Sequence, residues 1–420
     1  MRTLIDWQDD AENAAPEERA TVADLRLILC DVNITQHFCG RITDDRITVA
    51  LYGIAHGLVH QWWTIFGARD RDVSLASFRN GYLFPDLRIR FDGSAFEVAA
   101  LQQEYRSREV RFWAGPVEVM SRAAGEALLE DLIVRVLQRL DERKVRGTGA
   151  HLRWQRVQSS RQQSDEARFC EAAGSLELDP YKIAEEPARF IEMAEALFEG
   201  EAVIDFVCGG GASDHGRLVE WVDRMRNDRS SQYRLPDLAG QVDAALKSEV
   251  SSKDVPAWSV GYRRARTMRK ILGIGQDRKF SSFQDIAKAL GAGASYNVAP
   301  KVDGIRALRS ERPDGWQIHL RNHGDSAEAH AQHLFAMARA LGDAACFPET
   351  KLAPINDVRN AYRQAAGRAF AAEFLAPVNE IRSMLEDRRD RITIADAFSV
   401  STSVVDRQIE NQRRIDEACA

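Results

Sequence analysis

FAMARALGD at 335–343 and FAAEFLAP at 370–377 decide how the last third of this chain reads. Ala331, Leu334, Ala338 and Leu341 recur at three- and four-residue steps, the spacing of one apolar face of a helix. Asp325 or Ser326 stands just ahead of that stripe, where an N-cap belongs. Arg339 and Asp343 are i and i+4 on the same helix, so their side chains can meet. The second stretch closes another helix, NAYRQAAGRAFAAEFLAP.

Outward from this pair, the neighbouring segments keep a regular order. Upstream, GIRALRSE and GWQIHLRN flank Pro-Asp-Gly, a turn-forming tripeptide, and Trp316, Ile318 and Leu320 alternate onto one face of the expected hairpin. Before it, GYRRARTMRKILGIG and SSFQDIAKALGAG read as helices ending in Gly. Downstream come VNEIRSMLEDRR and then RITIADAFSVSTSVVDRQIENQRRI, expected as two helices joined at Ser399 in a helix-turn-helix-like unit. SEVSSKDVPAWS, rich in Ser and Lys, is the expected linker ahead of this module.

Nearer the start the texture changes. Residues 1–25 are acidic and weakly patterned, which suggests a mobile arm or loose first helix. From Thr43 to Pro116, RITVALYGI, DLRIRFDGSAFEVAAL and REVRFWAGPVEVM read as strands, with DGSA as a hairpin turn. Between them HGLVHQWWTIFG has helical spacing, and AAGEALLEDLIVRVLQRLDERK is amphipathic through Leu128, Leu132, Val136 and Leu140. Residues 146–255 look helical and more polar, although AVIDFV reads as a strand and CGGGASDHG at 208–216 as a flexible loop. The expected fold is α+β: an N-terminal α+β domain over 1–145, a helical middle region with linker over 146–255, and a further domain over 256–420.

Composition narrows the function classes. The chain has 420 residues, 45% hydrophobic and 29% charged, an ordinary globular mixture. No apolar run approaches the roughly 18–20 residues that span a bilayer, so no membrane association is expected. The acidic N-terminus lacks an apolar leader, and a cytoplasmic location follows as the expectation. Cys30, Cys39, Cys170, Cys208, Cys346 and Cys419 are scattered without a CxxC pair, which argues against a thiolate zinc finger and for free thiols. A net charge of −6 argues against broad, non-specific attraction to nucleic acid.

Hairpin, small-residue helix and FAAEFLAP helix, in that order, resemble the zinc metallopeptidases of the ImmA/IrrE type over roughly residues 256–420. That family carries Phe-x-x-Ala-His-Glu-Leu-Gly-His after such a hairpin, and a later glutamate ahead of Phe-Ala-Ala-x-Leu-Leu-x-Pro. Two histidines one turn apart bind zinc from one helix face, and the adjacent glutamate is the general base. Here Phe335, Ala338, Leu341 and Gly342 match the first motif, and Phe370, Ala371, Ala372, Leu375 and Pro377 the second.

The resemblance places Arg339 at the first zinc histidine, Ala340 at the general base, Asp343 at the second histidine and Gln364 at the third ligand. All four functional positions depart, and a permanent cation at 339 repels Zn²⁺. What this implies is a zincin-like module without catalysis or cofactor, in which Arg339, Asp343 and Gln364 form a hydrogen-bonded ion-pair cluster. A regulatory or interaction role with a protein partner follows, since active members cleave repressors in bacterial stress, mobile-element and phage-defence circuits. WW at 62–63, FCEAAG at 169–174 and LDPY at 178–181 resemble the N-terminal extension of longer members.

Other constellations compete with that reading. A rebuilt zinc site would draw on His323, His330 and His333, against solvent-facing polar residues at a helix start. Residues 392–414 would approach DNA through Arg407, Arg413 and Arg414, although Asp406 and Glu410 share the helix. Arg263, Arg264, Arg266, Arg269 and Lys270, beside Tyr262, are the densest basic run. Arg263, Arg266 and Lys270 would make one cationic face, either solvated or open to an acidic partner. The glycines of 208–216 lack the Lys-Ser/Thr of a phosphate-binding loop.

Overall fold

A computed structural model describes residues 1–8, 14–106, 109–211, 213–228, 238–246, 255–290, 298–312, 315–322, 324 and 326–418. The fold is α+β, and the chain divides into two compact units, Met1–Ala188 and Arg189–Ala420.

The first unit begins β1 (Arg2–Trp7), α1 (Pro16–Ala20), β2 (Val22–Leu29), β3 (Val32–Asn33), β4 (His37–Cys39), β5 (Ile42–Asp44) and β6 (Ile47–Ala50). It continues α2 (Leu51–Gly67), β7 (Val73–Ser74), β8 (Asp86–Phe91), β9 (Ala95–Leu101), β10 (Gln103–Tyr105), β11 (Val110–Phe112), β12 (Val117–Ser121), α3 (Arg122–Glu142), α4 (Gly149–Arg161) and α5 (Ser164–Ser175). Three small antiparallel sheets share one core with α2, in which its Trp62 and Phe66 are buried. DGSA makes the β8–β9 hairpin, with Phe91 opposite Phe96.

Two expectations are corrected here. Of residues 1–25, Arg2–Trp7 are no loose arm: β1 pairs with β2 from Arg2↔Ile28 to Trp7↔Ala23, and Ile5 and Trp7 pack on the core. Their period-two alternation is a strand signal that the acidic composition obscures. The boundary at 145 also moves, because α4 and α5 pack on α2; the Trp154 and Trp62 rings lie 5.1 Å apart.

The second unit contains α6 (Glu185–Leu197, entered in its first turn), α7 (Glu201–Gly210), α8 (His215–Asn227), α9 (Leu238–Leu246), α10 (Ala257–Ile271) and α11 (Phe283–Ala289). Then follow β13 (Val298–Ala299), β14 (Ala307–Arg312), β15 (Gly315–Arg321), α12 (Ala327–Cys346), β16 (Leu352–Ile355), α13 (Tyr362–Leu375), α14 (Val378–Glu386), α15 (Arg391–Phe398) and α16 (Thr402–Ala418). The sheet order is β13-β15-β14-β16, with β13 parallel to β15 and the other pairs antiparallel. The hairpin around Pro-Asp-Gly forms as expected, with Arg312 opposite Gly315. Both faces of β15 are buried, however: Gln317 and His319 as well as Trp316, Ile318 and Leu320.

Ser326 caps α12 by accepting from the Ala329 amide at 3.1 Å, and α12 packs between the sheet and α13. Gly342 permits that approach, since a Cβ there would lie 2.6 Å from Phe370 Cγ. AVIDFV is helical in α7, and Gly209 and Gly210 continue that helix rather than forming a loop. Ala202 to Val207 are all buried, and a segment buried on every side has no period to separate strand from helix. Helix α9 packs on α10 and α12, joining residues on both sides of the expected linker at 248–259, of which 248–254 lie outside the described residues. Among the described residues no helix is long and apolar enough to cross a membrane.

Candidate functional site

The side chains of Arg339, Asp343 and Gln364 converge where α12, α13, β14 and α7 meet, and all three are buried. Asp343 does not pair with Arg339. Its Oδ2 accepts from Arg309 Nε at 2.7 Å, and its Oδ1 accepts from Arg363 Nη2 at 2.6 Å. Arg309 is delivered by strand register: it lies opposite Ile318, on the face turned to α12, with its guanidinium 4.1 Å from the Trp316 ring. Burial alone would raise the Asp343 carboxyl, but the Arg363 and Arg309 charges outweigh it and hold the group below the usual carboxylate range.

Arg339 turns to the other side. It donates to the Asn356 carbonyl, to Gln364 Oε1 at 3.1 Å and to Asp357 Oδ1 at 3.4 Å. Burial pushes its guanidinium down to about 10, with the Asp357 carboxylate opposing, so it stays cationic at neutral pH. Gln364 uses its whole amide. Oε1 also accepts from the Asn356 amide at 3.0 Å, while Nε2 donates to Asp205 Oδ2 at 3.0 Å and the Pro354 carbonyl at 2.9 Å. The expected three-residue cluster is therefore two linked halves: an Arg309–Asp343–Arg363 clamp and an Arg339–Gln364–Asp205 chain, tied by Arg363 Nε 3.8 Å from Asp205 Oδ2. Ala340 is buried among apolar neighbours of α12 and has no proton-transferring group.

These residues do not fit a zinc ion. Three guanidinium groups face the three carboxylates of Asp205, Asp343 and Asp357, and each carboxylate already holds hydrogen bonds. Among the described residues the histidine alternative does not assemble either. His330 Nε2 lies 2.9 Å from the Ser281 carbonyl and His333 Nε2 lies 3.0 Å from the Arg321 carbonyl, so the rings serve different elements. His333 is buried rather than solvent-facing, and His323 lies outside the described residues. Among the described residues no group of three or more His, Cys, Asp or Glu is placed to hold a metal.

The basic run on α10 is not one open cationic face. Arg269 is buried and donates to the carbonyls of Phe374 and Arg278, among others. Arg266 Nε pairs with Glu373 at 2.7 Å and Arg264 with Asp243 at 3.1 Å; Lys270 is exposed, and Arg263 is half-buried with contacts of its own. A helix packed on both sides turns its basic residues to local acceptors. In the helix-turn-helix-like end, Ser399 takes the left-handed conformation (φ 52°) between α15 and α16. Arg407 is exposed, Arg391 pairs with Asp406 at 2.6 Å, and the side chains of Arg413 and Arg414 lie outside the described residues. One face of α16 is committed inward: Gln408 donates to Glu373 Oε2 at 3.2 Å and the Ala376 carbonyl at 2.9 Å, and accepts from the Tyr262 hydroxyl.

Cys170 and Cys346 are buried free thiols and Cys30 and Cys39 exposed ones. Sequence reasoning missed Arg309, Arg363, Asp205 and Asn356. Arg309 had a signal, because it alternates with Ile305 and Ala307 on the core face of the hairpin. No known family model, curated protein or solved structure matches this chain.

Proposed function

We propose that the second unit is a non-catalytic relative of ImmA/IrrE-type metallopeptidases, serving as a regulatory or interaction protein. The observation that carries this reading is the Asp343 clamp. A residue standing where the second zinc histidine belongs is held by two arginines at 2.6–2.7 Å. Such a clamp supplies no open coordination position and no general base, so hydrolysis has neither its metal nor its proton acceptor. It keeps α12, α13 and β14 in register by ionic and hydrogen-bond geometry instead of by a metal. A scaffold kept ordered without chemistry suits recognition of a protein partner in a bacterial stress, mobile-element or phage-defence circuit, in a cytoplasmic setting.

The test is zinc binding to the full chain together with its D343A and Q364A variants. The proposal expects no bound zinc that depends on either residue, and no peptide hydrolysis lost on changing them. One equivalent of zinc released by D343A or Q364A, with hydrolysis lost alongside, supports the enzymatic alternative.

A further inference from the structure

HGLVH at 56–60 places two histidines one turn apart on α2, the spacing from which one helix face can present two imidazoles to one ion. The structure brings them together: the His56 and His60 ring centroids are 4.4 Å apart, with planes inclined at 45°. Bonds of about 2.0–2.1 Å to one metal put two donor nitrogens roughly 3 Å apart, which rings this close reach by side-chain rotation. We propose that His56 and His60 are a two-histidine site for a late first-row divalent transition metal ion, with water completing its coordination.

Four features support the assignment. Neither imidazole makes a hydrogen bond to the described residues, so neither is committed elsewhere as His330 and His333 are. Their support is rigid, because α2 is buried along most of its length and packed by α3, α4 and α5. Access is open: His60 is exposed and His56 half-buried. Gly149, at the start of α4, faces His56 Nε2, and even a Cβ there would sit 3.4 Å from that nitrogen; glycine leaves it uncovered.

Charge and protonation fit the same assignment. Burial lowers both imidazoles from their ordinary value, so both are neutral at neutral pH, the form that binds metal. His60 is lowered further by His56, Arg153 and Lys182, against an opposing Asp179. Arg153 is itself paired with Asp179 at 2.7 Å, which tempers the repulsion a divalent ion meets. Two nitrogen donors and no thiolate favour nickel, copper or zinc over magnesium or calcium.

Calorimetric titration of the full chain with Ni²⁺ tests the site, after alkylation of thiols so that exposed Cys30 and Cys39 do not compete. The assignment expects one ion bound at about pH 7 and lost near pH 5, as the imidazoles protonate. It expects binding weakened by roughly tenfold or more in H60Q and in H56Q, and unchanged in H330Q. Should H56Q fold poorly, H60Q at the exposed position decides. Absence of binding at neutral pH, or binding indifferent to H60Q, overturns the proposal.

Discussion

Asp343 has two guanidinium partners and almost no solvent, and that sets what its removal does. In D343A, Arg309 and Arg363 are left as buried charges without their carboxylate, and breaking a buried pair costs about 3–5 kcal/mol. Urea unfolding of wild type and D343A measures this. Replacing the whole clamp together with the buried Asp205 carboxylate that Arg363 also faces, as D205N/R309M/D343L/R363M, removes both the interactions and the charges that need them. That quadruple variant is expected to be within about 1 kcal/mol of wild type or more stable. The clamp also sets a pH dependence. The folded Asp343 carboxyl lies below its ordinary value of 3.8, so its stabilisation is complete above that value and drains away as pH falls through the folded one. Acid titration followed by circular dichroism is expected to show part of the wild-type stability loss below pH 3.8, and D343N is expected to lack that part.

Among the elements, α16 shows how buried polar contacts hold a helix in place. Gln408 joins Tyr262 of α10 to Glu373 and Ala376 at the end of α13. Q408A leaves these groups short of partners, at about 1–3 kcal/mol, with loosening of α16 seen first in amide exchange. The helices themselves were legible where one face is apolar: α3 and α12 follow their stripes. AVIDFV was not, because an element buried all round has no periodic signature, and with it Asp205 was lost from the expected site. Arg309 was recoverable from hairpin register, whereas Asn356 follows a short strand whose place in the sheet depends on pairing with distant β14. The expected Arg339–Asp343 pair failed for a related reason: i, i+4 spacing permits contact, but stronger partners on β14 and α13 decided it.

At the scale of the molecule, the chain carries histidines at helical metal-binding spacing in one unit and a filled ionic cluster at the corresponding spacing in the other. These predict separable behaviour, since the first should bind a divalent ion weakly and reversibly while the second should ignore it. The most direct measurement of the central claim is therefore zinc content after equilibrium dialysis, in the full chain carrying H56Q/H60Q so that the helix α2 pair is silent. The account predicts no zinc that D343A or Q364A removes. One equivalent of zinc, retained in H56Q/H60Q and released by D343A or Q364A, would contradict it.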